Sequence, residues 1–430
     1  MPRRRGLAVC AVVSALLLHA DPGVAQLRGH GGPVRGLAIS ADGGTALSGS
    51  FDSAAILWDL RRDAAEQVLR FHDSAVNAVA LLRDGRAVTA GEDGRIALWT
   101  RGRAEPDKVL TGHTAPIAGL AVSPDGRTLA SASWDHTIRL WPLGGGTPVV
   151  LEGHSQNVNG VAFTLDGKAV VSAGYDATVR IWPLPQPAPP IVAALPAPLN
   201  AIAVAPDGEI VAGGADGEVH FLSPAGALRG AVKASPTPVI ALALSRDGTR
   251  IAAAGINGAV AIIDRKTRIV MRTLVGPGMP VWSVAFFPDG RTLLTGGADR
   301  MIRRWDTDTG APIDPIAAGE VADPLAAYAG DPGARVFRAC VACHTLSPAE
   351  GNRAGPSLHG LFGRRIASLP GYNYSAALKH LDIVWTPETV AKLFEIGPSR
   401  YTPGTKMPEQ RIGTPEDRAA LVKFLEQATK

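Results

Sequence analysis

The chain has 430 residues, of which 46% are apolar and 19% charged, a composition that fits two or three globular domains and excludes a disordered one. Of its 43 Lys and Arg and 39 Asp and Glu, 13 and 9 fall in residues 331–430, leaving 30 of each elsewhere, so the whole net charge of +4 sits in the last hundred residues. No basic tract and no nucleic-acid motif accompanies that excess, which argues against a nucleic-acid partner and for an acidic protein partner.

The first residues read as an export signal. Arg3, Arg4 and Arg5 precede an apolar run from Leu7 to Ala20, and small residues around Gly23, Val24 and Ala25 come before Gln26. A signal peptide of residues 1–25 is expected, removed by general secretion, with a soluble periplasmic product. The apolar run is short for a membrane span and no later segment reaches about 18 uninterrupted apolar residues, so no stable membrane insertion is expected. Cys10 leaves with the signal, and Cys340 and Cys343 remain. A disulfide between them would close too short a loop to staple a core, which leaves chemistry as their purpose.

The dipeptide Asp-Gly recurs at Asp42, Asp84, Asp125, Asp166, Asp207, Asp247 and Asp289, every 40 to 42 residues, and marks seven units. The best-formed runs from Leu110 to Trp141. "IAGLAV" predicts a strand, Pro124-Asp125-Gly126 a tight turn, "TLASAS" a second strand, Trp134-Asp135-His136 another turn, "TIRLW" a third strand, and a fourth ends at the next Gly-His pair. Four short strands cannot bury both faces alone, so the units must stack and share a core. The pairs Gly29-His30, Gly112-His113 and Gly153-His154, with Trp58-Asp59 and Trp305-Asp306 closing units one and seven, resemble the WD-repeat β-propeller signature over residues 26–318.

That resemblance implies a hydrogen-bonded set in each unit: His113, Ser131 or Ser133, Asp135 and Trp141 in unit three, and His154, Ser172, Asp176 and Trp182 in unit four. A His-Asp-Ser group can also be read as a catalytic triad, but recurrence suits a structural network better than one active site. Units five and six lack the histidine, Phe221 and Ile263 replace the tryptophan, and Asn257 replaces the turn aspartate in unit six, so these are expected to be the weaker units. "PLPQPAPP", Pro183 to Pro190, reads as a stiff connector between units four and five. Closure of the ring is open between two segments, Pro312 to Ala317 and the N-terminus near Leu27.

Residues 319–330 read as a small-residue linker, after which helical patterns begin. Thr386-Pro387 and Thr414-Pro415 each supply an N-cap with proline in the first turn, and Leu421, Phe424, Leu425 and Ala428 make one apolar stripe. Within this region "CVACH", Cys340 to His344, has three chemical readings. Zinc needs four ligands and would be expected to bring two more cysteines nearby, and none exists; a thioredoxin-type pair requires a βαβ setting, which this region does not show. Covalent haem requires two thiols three positions apart and a histidine directly after them, which is what stands here, and Met407 offers a second axial ligand. His359 and His380 read as surface or supporting polar residues.

In order, Phe337, "CVACH", "AGPSLHGLFGRR", "GYNYS", Trp385, "YTPGTKM" and a closing helix closely resemble class I cytochrome c over residues 331–430. The resemblance implies one haem c held by Cys340 and Cys343, with His344 and Met407 as iron ligands and the Pro356 carbonyl accepting the imidazole N–H. It also implies that Arg364, Tyr374 and Trp385 hold the buried propionates. Phe394 stands where a tyrosine is common and Leu378 where an asparagine is. The whole is expected to be an all-β seven-bladed propeller followed by a small all-α cytochrome c domain. A carrier of single electrons fits better than a catalyst, with the propeller docking a protein partner and Arg353, Lys379, Arg400 and Lys406 ringing the haem edge. The alternatives are a redox enzyme with an active site in the propeller, and a haem peroxidase.

Overall fold

The computed structural model describes residues 27–276, 280–313, 325–338, 340–341, 344–347, 355–370, 372, 374, 376–403, 405, 407 and 412–430. The expected signal peptide, Cys343, Arg353, Lys406 and residues 319–324 of the expected linker lie outside the described residues. Among those described, 28 strands form seven antiparallel four-stranded sheets, the blades of a propeller. Blade three consists of Ile117–Val122, Thr128–Ser133, Ile138–Pro142 and Val149–Leu151. Asp125 sets its first turn: its carboxylate accepts from Ser123 Oγ at 2.6 Å and from the Arg127 N–H at 3.0 Å. Gly126 follows at φ +73°, a conformation that costs glycine little.

Hydrophobic cores lie between blades rather than within them. One cluster takes Val88, Ile96 and Leu98 from blade two and Ile117, Leu129 and Trp141 from blade three. No single unit could bury these faces, which is why the repeats close into a ring. Closure is made by Leu27–Arg28, which pairs with Met301–Asp306 as the outermost strand of blade seven, while Pro312 makes only an isolated bridge to Trp305. Leu27 is buried in the cluster that joins Ile302 of blade seven to Val34 and Trp58 of blade one, so apolar burial selects the N-terminal segment.

The proline-rich stretch is not a connector between blades four and five. Thr178–Pro183 pairs with Ile191–Ala194, so Pro183 to Pro190 links the third and outermost strands of blade four, with the outer strand held in register by Thr178 opposite Ala194.

Each well-formed blade carries a buried polar chain. In blade three Trp141 Nε1 donates to Ser131 Oγ at 2.8 Å, Ser131 Oγ lies 2.7 Å from His113 Nε2, and His113 Nδ1 lies 2.7 Å from Asp135. Ser131 is the member; Ser133 donates instead to the Ala115 carbonyl. His154, Ser172, Asp176 and Trp182 repeat the chain in blade four, and His30, Ser48, Asp52 and Trp58 in blade one. Blade two has the same chain in His72, Thr89, Asp93 and Trp99, although Phe71 rather than glycine precedes its histidine. Blade five pairs its turn aspartate Asp216 with His220 at 3.1 Å, and blade seven pairs Asp299 with Arg303, each partner coming from the third strand. The two blades compensate for the missing loop histidine from a different position.

The helical domain contains, among the described residues, α1 (Pro332–Phe337), α2 (Ala376–Lys379), α3 (Pro387–Ile396), α4 (Pro398–Tyr401) and α5 (Pro415–Ala428). Thr386 and Thr414 cap α3 and α5 as their sequences predict, accepting from Thr389 N and Asp417 N. The helix α1 crosses α5 at Gly333, where an added Cβ would meet the Ala420 carbonyl at 2.1 Å. Leu325 and Tyr328, from the stretch read as linker, pack in this core, with the Tyr328 ring edge-on to Phe424 at 5.0 Å.

Candidate functional site

A cavity of about 210 Å³ opens in the helical domain, and the predicted site residues that are described, Cys340, His344, Pro356, Arg364, Tyr374, Trp385 and Met407, all line it. Cys343 lies outside the described residues. Apolar side chains such as Phe337, Leu361, Val390 and Leu421 supply most of the wall. Phe394 and Leu378, the two departures from the expected pattern, also face it. His359 is half-buried, His380 is exposed, and neither is part of the lining.

The position of His344 is set by backbone geometry. Its N–H donates to the Cys340 carbonyl at 2.9 Å, and the Leu358 N–H donates to the Thr345 carbonyl at 2.8 Å, which draws the loop carrying Pro356 across the imidazole. Nδ1 then donates to the Pro356 carbonyl at 2.8 Å. With the proton on Nδ1, the lone pair is on Nε2. Gly355 lies so close that an added Cβ would meet His344 Cε1 at 2.3 Å, so only glycine lets the loop press against the ring. Met407 is half-buried, and its backbone N–H is held by Thr405 Oγ1 at 3.2 Å.

The polar members are placed by another pair of backbone bonds. The Trp385 N–H donates to the Arg364 carbonyl at 2.9 Å, and the Gly363 N–H to the Trp385 carbonyl at 2.8 Å. The Arg364 guanidinium donates to the carbonyls of Ser357 at 2.8 Å and His359 at 3.1 Å. Burial lowers the Arg364 pKa from its ordinary value, and the nearby Tyr374 opposes that shift. Burial raises the Tyr374 pKa, with Arg364 acting against it, so the phenol stays a neutral donor. A guanidinium, a phenol and an indole on an otherwise apolar cavity suit carboxylate groups carried by an apolar ligand.

The donor set fits a haem: one imidazole with a directed lone pair, one thioether, a thiol at Cys340, and cationic and hydroxyl groups for carboxylates. Six residues of the cavity lining come from elsewhere: Phe51, Ser53, Asp73, Ser74, Ala75 and Glu92 belong to turns of blades one and two. Nothing in the repeat pattern marks them. Asp216, Glu218 and His220 bring ligand atoms within 4.8 Å of one another in blade five, but that group contains the same pairing of turn aspartate with third strand that Asp299 and Arg303 make in blade seven.

The family "WD domain, G-beta repeat" matches residues 23–59, 65–100, 104–142, 146–183 and 269–306, and the family "Cytochrome c" matches residues 330–429. The last segment is similar to cytochrome c of Cochliobolus lunatus, 48% identical over 99 residues, which covers 23% of this chain and 91% of that protein. It is 46% identical to cytochrome c of Arabidopsis thaliana over 99 residues, 23% of this chain and 88% of that protein. Cytochrome c of Ginkgo biloba is 40% identical over 103 residues and covered to 90% of its length by 23% of this chain.

Proposed function

Since the chain belongs to the cytochrome c family through its helical domain, we propose that it is an exported, periplasmic electron carrier with one covalently bound haem c, and that its WD-repeat propeller docks a protein partner. The observation that carries this reading is the 2.8 Å bond from His344 Nδ1 to the Pro356 carbonyl inside an apolar cavity. That bond turns Nε2 towards ligation and raises its basicity. When bound, the haem supplies one-electron exchange between ferric and ferrous iron.

Cys340 and Cys343 would anchor the porphyrin as thioethers, and His344 and Met407 would be the axial ligands. A thioether and an imidazole as ligands would favour the ferrous state and would leave the iron suited to electron exchange rather than to oxygen or peroxide chemistry. Arg364, Tyr374 and Trp385 would hold the propionates. The excess of 13 Lys and Arg over 9 Asp and Glu in residues 331–430 fits a redox partner that is acidic at its docking site, and Lys379 and Arg400 are exposed to meet it.

The test is direct. Exported protein, denatured and run on a gel, is expected to keep its porphyrin, and Cys340→Ala is expected to weaken that retention. Met407→Ala is expected to keep the porphyrin, lose the far-red methionine–iron absorption of the ferric protein and lower the reduction potential. Denatured exported protein with no retained porphyrin overturns the reading.

A further inference from the structure

Seven equivalent turns give the propeller an internal control on its own surface. In every blade the residue preceding the turn aspartate, or its Asn257 counterpart, donates its N–H to the residue preceding the innermost strand: Phe51 to Pro33 at 3.0 Å, Glu92 to Ala75 at 2.9 Å, Trp134 to Pro116 at 2.9 Å and Tyr175 to Asn157 at 2.7 Å. The backbone is therefore the same from blade to blade, and exposure is not. Among the large side chains at the first position, Trp134, Tyr175 and Ile256 are 38%, 45% and 39% exposed, whereas Phe51 and Glu92 are half-buried. At the second position Pro33 and Ala75 are buried, whereas Pro116, Asn157, Pro198 and Pro238 are half-buried.

Phe51, Ala75 and Glu92 lie in the lining of the haem cavity, and the Phe51 ring also packs on Trp282 of blade seven at 6.2 Å. Phe51, Ser74 and Glu92 share one lining with His344, Arg364 and Met407. Ser74 is 3% exposed, and its hydroxyl has no hydrogen-bond partner among the described residues, as fits a group turned towards a ligand or an interface rather than into the blade. Beside it, Asp73 is held by Arg95 at 2.6 Å.

We propose that the turns of blades one and two are the docking surface for this chain's own haem crevice, forming its outer wall, so that protein-sized redox partners reach the haem edge only when the helical domain leaves the propeller. The proposal rests on the haem reading above. A wall of this kind leaves small reductants a path and blocks the surface a partner protein needs, because an interface requires several hundred Å² on each side. The domain separation is then a gate on electron exchange.

Hydrogen exchange on the full haem-loaded chain tests the wall, because the compared amides make the same bond. Phe51 and Glu92 are expected to exchange about tenfold more slowly than Trp134 and Tyr175. Ser74→Trp, which places a neutral wedge in the contact, is expected to abolish that difference. It is expected to speed reduction by a small cytochrome c several-fold and reduction by ascorbate far less; Phe51→Ala serves where the wedge disturbs blade two. Equal exchange at all four amides in wild-type protein, or equal response of both reductants, overturns the wall. Retained porphyrin is scored on the same sample: its presence with equal exchange sinks the wall alone, and its absence sinks the haem reading and the wall with it.

Discussion

The propeller's smallest stabilising unit is a serine or threonine hydroxyl that serves two rings. Ser172 Oγ accepts from Trp182 Nε1 at 2.9 Å and lies 2.8 Å from His154 Nε2, and all three side chains are buried. Ser172→Ala strands both ring nitrogens, at a cost of about 2–4 kcal/mol read from urea unfolding of the propeller. A change under about 0.5 kcal/mol would show that the chain of bonds contributes little. The same chains confer acid sensitivity. Burial lowers the pKa of His113 and His154 below the ordinary 6.5, and Asp135 and Asp176 only partly oppose it. The unfolded chain therefore binds more protons below about pH 6.5, so the stability due to these groups is complete above that value and is lost as pH falls. Asp135 and Asp176 add to the loss at lower pH: burial alone would raise them, but their hydrogen bonds and the histidines hold them below the ordinary 3.8. The denaturation midpoint of the propeller is expected to be level between about pH 7 and 8 and lower at pH 5.5; a midpoint that rises on acidification contradicts this.

At the scale of elements, the helical domain depends on one close crossing. An added Cβ at Gly333 would lie 2.1 Å from the Ala420 carbonyl and 2.5 Å from Phe424 Cβ, so Gly333→Ala must push α1 away from α5. A cost on the order of 3 kcal/mol is expected, measured as a lower melting temperature by absorbance of the haem. This glycine was not legible in the sequence, because its role is defined by a helix 87 positions away in the chain. The caps at Thr386 and Thr414 were legible, because a cap bonds within its own first turn. Blade two shows the limit of motif reading: His72 occupies the loop-histidine position without the preceding glycine, and its bond to Thr89 at 2.8 Å, not the dipeptide, makes it a member. In blade five the loop histidine is missing, yet His220 reaches Asp216 from the third strand, a substitution that register alone reveals.

For the whole molecule, the propeller and the helical domain have separate cores: among the described residues, the cluster holding Phe337 and Phe424 contains no propeller residue. Two unfolding transitions are expected, with Gly333→Ala lowering only the one followed by haem absorbance and Ser172→Ala only the one followed by sheet circular dichroism; a single transition shifted by both variants would contradict that independence. By itself the sequence determined the seven-fold repeat, the turns and the helix caps, because each rests on chemistry within a few residues or on a period that repeats, and it singled out Cys340, His344 and Met407, which line one cavity. Tertiary structure alone decided that Leu27 rather than Pro312 closes the ring, that Pro183 to Pro190 stays inside blade four, and that Phe51, Ser74 and Glu92 face the haem cavity. Those three facts depend on which apolar surfaces meet across hundreds of residues, and no local preference records that.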